Sequence, residues 1–308
     1  MSKRRNPRRI KGWLLAAAAL TALSAAAAQS PSRTITIKTE PNASVWIDGV
    51  LYGKANADGV LTIKQMGAGR RQVRVRADGF AQAVKPIPAR GTAPITIVLN
   101  KSEDPAELAF QEAEKSSTVD RAKAAAAYRK AIEIKPAFID AHIGLARVLL
   151  DGGDFSRAEE ALKSARRLGP ANAEISAIEG RFFKSVGEED KAIAAFKKAI
   201  AQGAGFQPEA YAGLGLLYKD RAEAFGSAGD FRNEAANYTE AAKYLSTSIK
   251  QLSGAPESVV IYQMLGLIYE TQNKNQEAIA LYREFLRLFP GHPESAAFES
   301  FIVQLQKQ

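Results

Sequence analysis

Two periods of apolar residues divide this chain. Between residues 33 and 100 apolar and polar positions alternate: Thr34-Ile35-Thr36-Ile37-Lys38, Ser44-Val45-Trp46-Ile47-Asp48, Leu61-Thr62-Ile63, Gln72-Val73-Arg74-Val75-Arg76 and Ile95-Thr96-Ile97-Val98-Leu99. Every second side chain then falls on one face, as in a half-buried strand. Turn formers separate these runs, at Pro41-Asn42, Asp48-Gly49, Asp58-Gly59, Gly67-Ala68-Gly69 and Asp78-Gly79. Short strands at this spacing predict a small antiparallel β-sandwich, with a hairpin turn at Asp48-Gly49. After residue 105 helical spacing takes over, and a longer period appears. Ala124, Ala158 and Ala192 lie 34 residues apart, as do Ala131, Ala165 and Ala199, and Tyr128, Leu162 and Phe196. A fixed period of that length predicts stacked helix pairs, each completing its core against its neighbours. The expected fold is α+β and multidomain, a β-sandwich at 33–100 followed by an all-α solenoid at 105–308. The linker, residues 100–107, holds charged residues and one proline and little that would lock an interface.

Within the helical part, Leu145, Ala146, Leu149, Ala158, Leu162, Ala165 and Pro170, with Gly152 and Gly153 at the turn, coincide with the signature of the tetratricopeptide repeat. Leu265, Gly266, Tyr269, Ala278, Tyr282 and Pro290 repeat it, with Phe285 where a small residue is usual. This two thirds of the chain resembles that family. Residues 173–204 keep Gly180, Ala192, Phe196 and Ala199 but end in Gly203 and Ala204 without the closing proline. Residues 105–136 keep Ala124, Tyr128, Ala131 and Pro136 but have Gln111 and Glu112 where Leu and Gly are usual, and read as a cap. The unit opening near Pro208 carries Tyr211, Leu214, Gly215 and Tyr218 and then runs long. Gly215 lies 26 residues before Ala241, whereas Ala146 lies 12 before Ala158. The excess reads as an extension of both helices around a turn at 226–230. Residues 293–308 read as a helix covering the open end of the stack.

Thr39-Glu40-Pro41-Asn42-Ala43 entering Val45-Trp46-Ile47-Asp48-Gly49, then Gly67-Ala68-Gly69, a Val-x-Val strand and Asp78-Gly79-Phe80, resembles the PEGA domain of bacterial and archaeal surface proteins. Asn42 stands where that family has Gly, a mild change because Asn tolerates positive φ. The resemblance implies an envelope-facing module. Trp46 sits in an alternating strand whose two faces are both open to it: outward it is a candidate glycan contact, inward a packing residue.

The first 28 residues differ from both parts. Lys3, Arg4, Arg5, Arg8, Arg9 and Lys11 precede an apolar run at 13–28, with Ala26-Ala27-Ala28 offering small residues for cleavage. As a helix, that run would span about 24 Å against a hydrocarbon core of roughly 30 Å. It reads as an export signal, with an uncleaved anchor as the alternative. The chain has no cysteine, which excludes lipidation there, and Arg8-Arg9 is a poor twin-arginine match because Lys11 and Gly12 follow. The leader supplies six of the positive charges and no acid, so of a net charge of +9 only +3 remains beyond it. A nucleic-acid partner is therefore not implied.

No catalytic, metal or cofactor signature emerges. His142 and His292 are the only histidines and stand far apart, and there is no phosphate-binding loop or nucleophile elbow. The chain reads as a non-enzymatic scaffold without cofactor. By resemblance to the repeat family, its peptide groove would use the first helix of each pair, where Ile143, Arg147, Leu150, Arg181, Lys184, Leu216, Lys219, Gln263 and Leu267 fall. Arg147, Arg181 and Lys184 suit an acidic or carboxylate-bearing peptide. Equally open is pairing of these arginines with Asp140, Asp151 and Glu174 on the same surface. The function expected is an exported adaptor binding protein partners in the cell envelope; the alternative is a wall-attachment protein whose β-domain binds glycan.

Overall fold

The computed structural model describes residues 33–66 and 71–307. The leader at 1–28 and the turn Gly67-Ala68-Gly69 lie outside the described residues.

Strands β1 (Arg33–Lys38), β2 (Ser44–Ile47), β3 (Val50–Lys54), β4 (Val60–Met66), β5 (Arg71–Arg76), β6 (Ala83–Ile87) and β7 (Ile95–Thr96) form two sheets, β4-β1-β7 and β3-β2-β5-β6. Their alternation buries Ile35, Ile37, Val45, Ile47, Val73 and Val75 in one shared core. The pairings are antiparallel except β1 with β7, because the chain returns to the first sheet from an excursion into the second. Strands β3 and β6 escape the alternation rule. Gly53 interrupts β3, and Pro86, which lacks an N–H, confines β6 to a sheet edge. Asp48 and Gly49 join β2 to β3 with φ of 49° and 86°, the two positive values a tight hairpin requires. Asn42 also has positive φ, 59°, which accounts for its standing in for glycine.

The helices form pairs: α1 (Pro105–Ser116) with α2 (Arg121–Ile134), α3 (Ile139–Asp151) with α4 (Phe155–Leu168), α5 (Ala173–Ser185) with α6 (Glu189–Gln202), α7 (Pro208–Ser227) with α8 (Phe231–Leu252), and α9 (Val259–Thr271) with α10 (Asn275–Leu288). Helix α11 (Ser295–Leu305) follows. The periodic positions are the core: Ala124, Ala158, Ala192, Ala241 and Ala278 are fully buried, and Tyr128, Leu162, Phe196, Leu245 and Tyr282 are buried beside them. Close approach explains the small partners. A Cβ on Gly180 would stand 2.5 Å from the Phe196 ring, and one on Gly266 2.2 Å from Tyr282. The turns keep the period as well, with positive φ at Gly153, Gly187, Gly229 and Asn273, each just ahead of a helix. Asp154 and Asp230 then cap α4 and α8 by accepting from the backbone N–H groups of Arg157 and Asn233.

The added length of the fourth pair lies in its helices, α7 having 20 residues and α8 22, against 13 and 14 in α5 and α6. At the far end Phe285 meets Phe298 of α11 with ring centroids 4.2 Å apart. The position of Phe285 is held by Ala131, Ala165 and Ala199 in the first three pairs and by Ser248 in the fourth. No helix among the described residues is long and apolar enough to cross a membrane.

Candidate functional site

The two halves of the described chain belong to one compact unit, and what joins them is the outer face of the four-stranded sheet. Along β5 the inward Val73 and Val75 alternate with Arg74 and Arg76, and Trp46 on β2 stands directly across from Arg74. This face turns toward the first helices of the pairs.

On one side the attachment is polar. Arg76 is only 7 % exposed and donates to Glu114 of α1 at 2.9 Å and to Asp140 of α3 at 3.0 Å, with its guanidinium 4.7 Å from the Phe110 ring. Gln111 accepts from the Gly79 N–H at 2.9 Å and donates to the Phe80 carbonyl at 2.7 Å. The residue that replaces the repeat family's Leu is thus spent on holding the β-domain. On the other side the attachment is largely apolar. Val50, 5 % exposed, shares a cluster with Leu252, Ala255 and Ile261, while Tyr52 donates to the Leu252 carbonyl at 3.0 Å and Arg71 lies over Phe206. The interface that the linker alone could not supply is built from strand residues and helix faces distant in sequence.

Between the two attachments lies a chamber of roughly 1220 Å³, walled by Trp46, Arg74 and Arg76 on the sheet side and by α1, α3, α5, α7 and α9 on the other. Its volume exceeds the roughly 300–1,000 Å³ usual for small-molecule pockets and suits a peptide segment. Of the residues expected to line a groove, Ile143, Arg147, Arg181, Lys184 and Leu216 face this chamber, and Trp46, the candidate glycan contact, lines it too. Leu150 is buried in the helical core, Lys219 pairs with Glu223 on its own helix, and Gln263 and Leu267 are exposed outside the chamber.

The chamber's helix-side cations are engaged by carboxylates. Arg147 donates to Glu209 at 3.0 and 2.6 Å and to Glu174 at 3.2 Å; Arg181 reaches Asp151 at 2.5 Å and Glu209 at 3.4 Å; Lys184 reaches Asp220 at 2.7 Å. Burial alone would lower the Arg147 pKa, but Glu209 and Glu174 outweigh it and hold it well above its ordinary value. Burial would likewise raise Glu209, but Arg147 and Arg181 hold it low. Pairing within the surface is therefore the arrangement formed. Asp140 takes no part in it, being held by Arg76, and Glu209 is the central acid.

Arg74 differs. Among the described residues its side chain forms no ion pair or hydrogen bond; its guanidinium lies 5.2 Å from the Trp46 ring, and its Nε is buried without a partner. Burial and the neighbouring Arg76 lower its pKa. The β-domain contribution was not legible as a site, since alternation marks Arg74 and Arg76 as outward without saying what they face. The histidines stand apart: His142 Nε2 is 2.9 Å from the Pro136 carbonyl, and His292 Nδ1 accepts from the Glu294 N–H. Among the described residues no group of three or more His, Cys, Asp or Glu could hold a metal.

Comparison with known proteins gives a consistent assignment. The tetratricopeptide repeat profile matches residues 120–181 and 220–293, and the PEGA domain profile matches residues 32–103. The Tonsoku-like protein of Bos taurus is 28% identical over 177 residues, 57% of this chain, which spans only 12% of that protein's length. Yeast Tom70 shares the helical fold with a TM-score of 0.52 at 20% identity, over 67% of this chain and 40% of Tom70. A thermophilic repeat protein of Thermus thermophilus aligns with a TM-score of 0.49 at 15% identity, over 64% of this chain and 99% of its own. The chain thus carries a PEGA domain at residues 32–103 followed by tetratricopeptide repeats matched at residues 120–181 and 220–293.

Proposed function

We propose that this protein is an exported, non-catalytic adaptor of the cell envelope that binds a protein partner through the chamber between its PEGA domain and the first helices of its repeats. The observation carrying this reading is the chamber itself, whose walls come from both domains and combine aromatic and charged side chains. Repeats of this family generally bind protein partners, and PEGA domains are typical of periplasmic and extracellular proteins. The charged leader supports export. Its cleavage, the domain limits 33–100 and 105–308, and the groove role of Ile143, Arg147, Leu216 and their neighbours belong to the same proposal.

In-cell cross-linking and affinity capture of the full chain test it, together with fractionation to locate the chain. A defined envelope protein should be retained, and Leu216→Glu, which puts a charge on the chamber wall, should reduce its retention at least tenfold while helical content is preserved. Equal retention by the variant, or a chain found only in the cytoplasm, would overturn the reading. The wall-attachment alternative gains no support from Trp46, which faces the chamber beneath two guanidinium groups.

A further inference from the structure

We infer that the specificity-determining residue of this chamber is Arg74 of the PEGA domain, which, laid against Trp46, receives a single carboxylate of a bound peptide. The inference rests on the adaptor reading and names the ligand chemistry of the same site. Arg147, Arg181 and Lys184 already have carboxylate partners on the helical wall, and Arg76 is committed to Glu114 and Asp140. An incoming anion would have to break one of those pairs to use them. Arg74 alone among the chamber's cations has its hydrogen-bonding capacity unspent, among the described residues, and its Nε is shut away from water with nothing to donate to. Its terminal Nη groups likewise have no protein partner among the described residues, so a ligand carboxylate can accept from them without breaking an existing pair.

The guanidinium carbon lies 5.2 Å from the Trp46 ring centroid, a cation–π contact that restrains a planar fork of the kind carboxylates accept from in pairs. Partly exposed apolar side chains on the lining, Phe206, Leu216 and Val260, offer surface for the rest of the peptide. The remaining charges limit the guest. The chamber is also lined by Asp48, Glu114, Asp140, Glu174, Glu209 and Glu257, so a second carboxylate would meet acids rather than a free cation. A peptide carrying one acidic group among neutral residues fits; a polyanion does not.

The test uses the full chain, immobilised, and pools of hexapeptides built from neutral residues, acetylated and amidated, with one position fixed as Glu, Gln or Lys. A further pool without Glu keeps a free C-terminal carboxylate, so that side-chain and terminal sources are told apart. Retained peptides are quantified by mass spectrometry. The fixed-Glu pool, the free-terminus pool or both should be retained at least tenfold above the Gln pool, and Arg74→Gln should remove that preference. Arg74→Lys, keeping the charge but not the fork, should keep part of it. In a chain carrying Trp13→Phe, Trp46 is the only tryptophan, and its emission should shift on binding of the preferred pool. Surface adsorption to this basic chain would not move that signal. Equal retention of the Glu, free-terminus and Gln pools, a preference for Lys, or a carboxylate preference that survives Arg74→Gln at unchanged circular dichroism would each overturn the inference. Continued capture of the envelope partner by Arg74→Gln, with Leu216→Glu still defective, would overturn it alone and leave the adaptor reading standing.

Discussion

The PEGA domain is held to the repeats at two places of opposite chemistry. On the α1 and α3 side, Arg76 and Gln111 spend directional, charge-assisted bonds on Glu114, Asp140 and the Gly79-Phe80 backbone. On the α8 side, Val50 enters an apolar cluster and Tyr52 adds one neutral hydrogen bond. Apolar burial is non-directional and contributes roughly 25 cal/mol per Å², whereas a buried ion pair recovers little more than its desolvation cost but is demanding in geometry. The difference implies a division of labour: the Val50 side supplies net attraction, and the Arg76 side sets the orientation that aims Trp46 and Arg74 into the chamber. Burial raises the Glu114 pKa despite Arg76 beside it, consistent with a pair that is costly to desolvate.

The largest expected effect follows from breaking the polar side unevenly. Arg76→Met leaves Glu114 and Asp140 without their cation. Since both carboxylates are about one third exposed, the loss should be about 2–3 kcal/mol rather than the full cost of a buried unpaired charge. Urea unfolding of the full chain measures it. The triple variant Arg76→Met, Glu114→Leu, Asp140→Leu should recover most of that stability yet lose the fixed placement of Trp46, seen as broadened emission in the Trp13→Phe background. A triple variant as unstable as the single one would contradict the division of labour. Val50→Ala comes next, at about 1–2 kcal/mol for a buried large-to-small change, and should be insensitive to salt, whereas the Arg76 contacts weaken with it. Proteolysis at residues 100–104 should accelerate in both variants, because each frees the linker from the docked domain.

The repeats were legible because each unit restates the same constraint. Ala124, Ala158 and Ala192 must be small for helices to meet, and their spacing survives any change of surface residues. The extension of α7 and α8 could be read in the same way, as a change of spacing between Gly215 and Ala241. The chamber was only half legible. Repeat geometry places Ile143, Arg147, Arg181 and Leu216 on one wall, but the opposite wall depends on a single long-range docking with no periodicity to announce it. Gln111 carried the signal: a polar residue where the repeats have Leu, buried at 8 % exposure and bonded to the β-domain backbone. It reads as a degraded cap until its partner is in view. Similarly, Arg147 and Arg181 look like free groove cations as long as Glu209, 62 and 28 residues away, is not seen to face them.

The smallest effect sharpens the comparison most cleanly, because it separates the two components of the apolar side. Tyr52→Phe keeps the ring against its cluster and removes only the hydrogen bond to the Leu252 carbonyl, for an expected loss of about 1 kcal/mol. The same phenol gives a pH signature. Burial, the largest influence, pushes the Tyr52 phenol up to about 12, with Arg71 opposing and Asp48 adding to the rise. A raised acid binds its proton more tightly folded than unfolded, so its contribution is complete below the ordinary tyrosine value near 10 and is lost as pH rises through 12. Unfolding free energy measured between pH 9 and 12 should therefore fall more steeply in the native chain than in Tyr52→Phe, with the two curves converging toward the upper limit. Parallel curves would mean that the phenol binds its proton equally well in the folded and unfolded chain, as a solvent-bonded group does. The attraction on this side would then belong to Val50 and its apolar neighbours alone.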